Sequence, residues 1–187
     1  MPGANVIAET DRLPDTYPRD YFSAVDTGTR DVKIYTTAGS LVGTFMAAPA
    51  DAVAIGVGGH VVDYVYLATR SGVVLRHSPR GSFISSFNTG IDVRDLAASG
   101  GYYHWWGDFV QVGPRGQPGP IYSYWGNGSL EGSFALPGSR SLGAVAFHTQ
   151  YYCLRRVNTR LWIYQVYLGR GMPVEPASLG KVKALFK

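Results

Sequence analysis

The sequence predicts an all-β fold built from four copies of one four-stranded antiparallel unit. Three observations predict it. A seven-residue phrase recurs as Gly39-Ser40-Leu41-Val42-Gly43-Thr44-Phe45, Gly81-Ser82-Phe83-Ile84-Ser85-Ser86-Phe87 and Gly128-Ser129-Leu130-Glu131-Gly132-Ser133-Phe134. Its glycines stand 42 and then 47 residues apart, the length of one four-stranded blade in a radially repeated protein. Further columns keep a fixed order around the phrase: an aromatic pair (Tyr21-Phe22, Tyr64 with Tyr66, Tyr102-Tyr103, Tyr151-Tyr152) and an apolar pair before the glycine turn (Ile34-Tyr35, Val74-Leu75, Ile121-Tyr122, Ile163-Tyr164). Finally, candidate strands are rich in β-branched and aromatic residues, Gly, Pro, Ser and Asn punctuate them, and no segment shows an apolar stripe at helical spacing. A small β-propeller of about four blades accounts for all three.

The second unit shows the expected elements most clearly. Strands are expected at 53–57, 61–68, 73–77 and 82–87, with turns at Gly58-Gly59, Thr69-Arg70-Ser71-Gly72 and Ser78-Pro79-Arg80-Gly81. Small-residue segments Val53 to Val57, Leu96 to Ser99 and Ala144 to Phe147 read as first strands crowded near an axis, so Ala54, Ala97 and Ala146 are expected to be buried. The repeats fall at about 1–48, 49–90, 91–137 and 138–187, in one domain, because a blade leaves its faces bare until a neighbour packs on it. The first copy holds one candidate strand before Tyr21, Asn5 to Ala8, and Gly180 to Phe186 is a distant echo of the phrase. One terminus is therefore expected to complete a blade begun by the other. The rival arrangement is a homo-oligomer in which two chains make one larger ring.

Composition narrows the class. The 187 residues include 24 Gly and 13 Tyr, and 45% are hydrophobic, enough for a globular core while every apolar run is strand-sized. Glu9, Asp11 and Arg12 interrupt the N-terminal region before a signal-like apolar stretch develops, so neither secretion nor a membrane is expected, and the compartment is read as intracellular. The single Cys153 excludes an intrachain disulfide framework and reads as a small buried residue.

Asn158-Thr159-Arg160-Leu161-Trp162-Ile163-Tyr164 resembles the Asn-x-Arg-Ile-x-Val-Phe stretch of NHL-type β-propeller repeats, and Tyr122 to Leu130 is similar to the Phe-x-x-x-Gly-x-Phe/Leu that follows it. The resemblance covers most of the chain from about Tyr21. It implies a propeller fold, and a function among RNA binding, protein binding and lyase chemistry.

No catalytic or metal-binding constellation emerges. His60, His77, His104 and His148 stand at unrelated repeat positions, without ligand spacing for zinc. No Gly-rich loop opens a helix that could cradle a phosphate, and no cofactor is indicated. Asp92 and Asp95 flank Arg94 and could serve acid–base chemistry, but bonds to turn amides or to Arg94 are their ordinary role.

Arginine does recur. Arg30, Arg70, Arg115 and Arg160 stand between the second and third strands of the four copies, and Arg94 and Arg140 lie on the connections into the next units. Alternate connections of an antiparallel meander emerge on alternate sides, so one face is expected to carry a set of arginines with few acids to offset them. A guanidinium fork pairs two oxygens of a phosphate, sulfate or carboxylate at once. The net charge of +4, with 13 Arg against 4 Lys, is compatible with such a partner. Trp105, Trp106 and Trp125 are candidates for stacking on a sugar or a base. These features predict a binding or scaffolding module for another protein or an anionic ligand, RNA and acidic glycans included. The alternatives are a carbohydrate-binding lectin, with similar pockets in several blades, and a lyase or hydrolase with a site at the channel mouth.

Overall fold

A computed structural model describes the backbone at 4–9, 21–36, 38–58, 64–99, 108–115, 120–134, 141–147, 150–157, 160–167 and 174–177, and side chains at 23–36, 38–58, 64–98, 108, 110, 112–115 and 120–133. The strands are β1 (Ala4–Glu9), β2 (Tyr21–Asp26), β3 (Asp31–Thr36), β4 (Leu41–Ala47), β5 (Ala52–Gly58), β6 (Tyr64–Thr69), β7 (Val73–His77), β8 (Phe83–Asn88), β9 (Val93–Ser99), β10 (Phe109–Pro114), β11 (Ile121–Trp125), β12 (Leu130–Phe134), β13 (Ser141–Phe147), β14 (Gln150–Val157), β15 (Arg160–Tyr167) and β16 (Val174–Ala177). They form four antiparallel four-stranded sheets, each a simple meander in chain order. In β3 the buried Val32 and Ile34 alternate with the partly exposed Asp31 and Lys33, the period of two that a strand imposes.

Successive first strands lie side by side, β1 against β5, β5 against β9, and β9 against β13, while among the described residues no comparable contact joins β13 back to β1. Among the described residues the sheets thus follow one another in an arc; Gly180 to Phe186, expected to help complete a blade, lie outside the described residues. Close approach at the centre selects small side chains. A Cβ on Gly56 of β5 would lie 2.6 Å from Leu96 Cδ2 and 2.8 Å from the Ala98 nitrogen. Ala54 is fully buried and Ala97 is 5% exposed, as small first-strand residues should be; the Ala146 side chain lies outside the described residues.

Two apolar layers fill the spaces between the first three sheets. Val25, Val32 and Ile34 of the first sheet meet Ile55, Val65 and Leu67 of the second. Tyr66, Ala68 and Val74 of the second meet Leu96, Val110 and Val112 of the third. Burying each such Val, Leu or Ile contributes roughly 1.5 to 3 kcal/mol, so sheet stacking dominates the stability.

The recurring phrase is the hairpin from the third strand to the outer strand. Gly39, Gly81 and Gly128 take φ of 83°, 83° and 91°, which a residue with a Cβ resists. Each donates its amide to the carbonyl of the strand before it, Thr36, Ser78 and Trp125 respectively. The phrase also links neighbours. A Cβ on Gly81 would lie 3.3 Å from Met46 Cβ, and one on Gly128 only 2.4 Å from Phe87 Cβ, so each of these turns packs on the outer strand of the preceding sheet. A Cβ on Gly39, in the first sheet, has nothing within 4 Å.

Register adds a feature invisible in composition. The outer strands β4, β8 and β12 are each bulged just after the turn. Leu41 pairs with Tyr35 and Gly43 with Ile34, which leaves Val42 extra; Ile84 is extra in β8 and Glu131 in β12. A bulge re-aims side chains, and Leu41, Val42, Phe83, Ile84 and Leu130 are the large hydrophobics left exposed, at 45 to 60%.

Candidate ligand-binding face

The arginine connections share one backbone device. Arg70 donates its N–H to the carbonyl of Asp51 at 2.9 Å, and Arg115 donates to the carbonyl of Asp92 at 2.8 Å. Each ties its loop to the residue just before the first strand of its own sheet. Arg30 does it differently, donating to the carbonyl of Asp26 at 2.8 Å within its turn, and its φ of 60° is the one positive value of a non-glycine residue among those described. Asp26 organises that turn. Its Oδ1 accepts the amides of Gly28 and Thr29 at 2.9 and 3.2 Å, and its Oδ2 accepts Lys33 Nζ at 2.6 Å. The Lys33 bond, with the Thr29 amide next, pulls the Asp26 carboxyl down to about 2.

The side chains divide into two groups. Arg30 and Arg70 are exposed, with no carboxylate at ion-pair distance among the described residues. Arg115 Nε lies 3.3 Å from Asp92 Oδ1, so the acids adjoining the loops offset more charge than the sequence suggests. Asp51 is occupied otherwise, its Oδ2 accepting Ser71 Oγ at 3.1 Å.

Arg94 occupies a bulge. Val93 pairs with Pro114 and Asp95 with Gly113, leaving Arg94 extra, just as Val53 is extra in β5. Its side chain is 37% exposed and its Nε is 3.8 Å from Asp95 Oδ2. Asp95 is 8% exposed, and its Oδ2 has no hydrogen-bond partner among the described residues. Burial raises this carboxyl to about 6, against the pull of Arg94 and Arg115.

Arg160 opens β15, on the equivalent connection of the fourth sheet, with its side chain outside the described residues; Arg140, Trp105, Trp106, His60, His104 and His148 also lie outside them. Cys153 stands in β14 opposite Ala144 in backbone register. Trp125 ends β11 at the hairpin into β12, so the chain places it at the opposite end of the sheets from the arginine loops. His77 is buried edge-on to Phe83, with centroids 5.8 Å apart, and burial pushes its imidazole pKa down. No group of three His, Cys, Asp or Glu residues suited to a metal ion occurs among the described residues.

One polar cluster escaped the sequence reading. Arg76 Nη2 bonds Asp108 Oδ2 at 2.6 Å across the second and third sheets, Tyr66 Oη reaches the same oxygen at 3.3 Å, and the guanidinium lies 3.6 Å above the Tyr64 ring. Desolvation against the Asp108 carboxylate drives the Tyr66 hydroxyl pKa strongly upward. The cluster is inter-sheet mortar. Its only sequence signal is an arginine inside the strand Val-Val-Leu-Arg-His, where β3 carries the buried Ile34.

Meandering four-stranded sheets stacked by their first strands define a known architecture, and solved structures match it. BBS1N in complex with ARL6DN is 17% identical with a TM-score of 0.55, over 84% of this chain and 48% of that one. U3-55K is 8% identical with a TM-score of 0.56, over 88% and 49%. A further match named as a propeller, that of Dos1, has a TM-score of 0.50 at 13% identity over 80% and 42%. The fold is β-propeller-like. A protein of unknown function from Bacteroides caccae aligns over 95% of this chain and 61% of its own, at 16% identity and a TM-score of 0.57. The chain thus spans about half the length of the propellers it matches. No protein-family model and no curated protein sequence matches it, so the NHL resemblance gains no support. Among the described residues no helix is long and apolar enough to cross a membrane.

Proposed function

We propose that the chain is a non-enzymatic binding or scaffolding module whose arginine loops receive an acidic partner. One observation carries this reading: Arg30 and Arg70 stand exposed, without carboxylate partners among the described residues, on equivalent connections of successive sheets. Rigid backbone ties hold both loops, so little ordering entropy opposes engagement of an anion. Each free fork can take two oxygens of a carboxylate or phosphate. A propeller neighbour was solved bound to another protein, which supports a protein partner for this scaffold. Heparin serves as the test anion. A variant with Arg30, Arg70, Arg115 and Arg160 changed to Gln should lose most heparin affinity at low salt with an unchanged unfolding midpoint. Equal affinity for heparin in the two proteins would overturn the proposal.

A further inference from the structure

All five exposed large hydrophobics among the described residues occupy one repeat position, the two residues after the Gly-Ser of the outer hairpin. They are Leu41 and Val42, Phe83 and Ile84, and Leu130, and the bulge there turns two successive side chains outward instead of one. The stations adjoin, because Gly81 rests on Met46 and Gly128 on Phe87. They lie at the end of the sheets opposite the arginine loops, since successive connections of each meander alternate ends. A repeated apolar rim of this kind has no role in the core.

We infer that this rim is a self-association surface, through which a second copy of the chain docks about a twofold axis. Charge selects this occupant. The strands β4 and β8 contain no charged residue, so like faces meet without repulsion, whereas the arginine ends of two copies, each chain carrying +4, repel. The rim also carries one charge of each sign, Arg80 in the turn before Phe83 and Glu131 beside Leu130. Glu131 Oε2 accepts Ser123 Oγ at 2.8 Å, which leaves Oε1 for a second donor. A twofold axis between the second and third stations sets Arg80 of each copy against Glu131 of the other, and an isologous interface is self-complementary in this sense. Area fixes the strength. The exposed stations offer on the order of 500 Å² per copy, below the roughly 800 Å² per partner of a standard interface. The dimer is therefore weak and concentration-dependent. It leaves both arginine faces free and pointing outward, so two copies form a bivalent scaffold.

Sedimentation of the full chain over a dilution series tests this. The weight-average mass should climb from 20.3 kDa toward twice that value as concentration rises. The double variant Phe83→Ser/Ile84→Ser should weaken association by about tenfold or more; because Phe83 also covers the His77 ring, Ile84→Ser alone, which keeps that contact, should weaken association with an unchanged thermal midpoint. Arg80→Glu should weaken it, and Arg80→Glu combined with Glu131→Arg should restore it, a rescue that nonspecific apolar clumping cannot give. Wild type that remains monomeric throughout overturns the inference. So does a monomer that instead floats with phosphatidylcholine vesicles, which would give the rim to a lipid surface, and so does association indifferent to the Phe83 and Ile84 changes.

Discussion

Glycine at the outer hairpins does two jobs that substitution can separate. Gly39 and Gly128 share a positive φ, 83° and 91°, but a Cβ at Gly39 enters open space whereas one at Gly128 meets Phe87 Cβ at 2.4 Å. Gly39→Ala should therefore report backbone strain alone, about 1 kcal/mol. Gly128→Ala adds overpacking of the joint between the second and third sheets, for a total of about 2 to 4 kcal/mol. Urea unfolding of the two variants measures the difference, and equal losses would mean that Gly128 does not hold the sheets together. The positive φ at these glycines was legible, because a phrase that begins with Gly after an apolar pair reads as a hairpin. The contact of one phrase with the phrase before it was not, since no local pattern tells which residue of the previous repeat lies beneath a turn.

At the scale of elements, the first strands show where sequence columns mislead. Aligning the small residues puts Ala97 beside Ala54, yet counting back from the shared arginine loops sets Ala97 with Gly56, and Asp95 with Ala54. Both strands carry the same bulge, at Val53 and at Arg94, so it shifts neither against the other; the small residues themselves stand two places apart in the two strands. An acid therefore sits where the second sheet has a fully buried alanine. Its carboxyl titrates near 6 in the folded chain against 3.8 when exposed, so the folded state binds the extra proton between those values. Stability should then fall as pH rises from about 4 to 6, by about 2 to 3 kcal/mol, and stay at the lower level above that. Asp26 works the other way and lower down, its depressed pKa of about 2 giving stability that is present above 3.8 and lost as pH falls through 2. Asp95→Asn should flatten the slope between pH 4 and 6 and raise the thermal midpoint at pH 7. A slope that survives in Asp95→Asn would place the titrating group elsewhere.

At the scale of the whole molecule, the repeats are not equivalent. The face of the first sheet turned away from the second carries the Lys33 to Asp26 ion pair, where β7 and β11 carry Leu75 and Tyr122 against the sheet before them. The repeated plan of the sheets could be read from periodicity; whether they close into a ring could not, because closure depends on contacts between sheets distant in sequence. The same holds for charge. Four arginines at one repeat position suggested four equivalent donors, whereas Asp92, 55% exposed and 3.3 Å from Arg115 Nε, sets that loop apart from Arg30 and Arg70. An ion pair this exposed contributes little to folding, about 0 to 1 kcal/mol, but it competes with any anion for Arg115. Asp92→Asn should release the guanidinium, strengthen heparin binding several-fold, and steepen the fall of affinity with salt by about one counterion per chain. Arg70→Gln should do the reverse, weakening binding and making the salt slope shallower by a similar amount. Titrations at several salt concentrations distinguish the two variants from each other and from wild type. Identical salt slopes in all three proteins would remove both loops from the binding face, and would leave the bond from the Arg70 amide to the Asp51 carbonyl as that arginine's whole contribution.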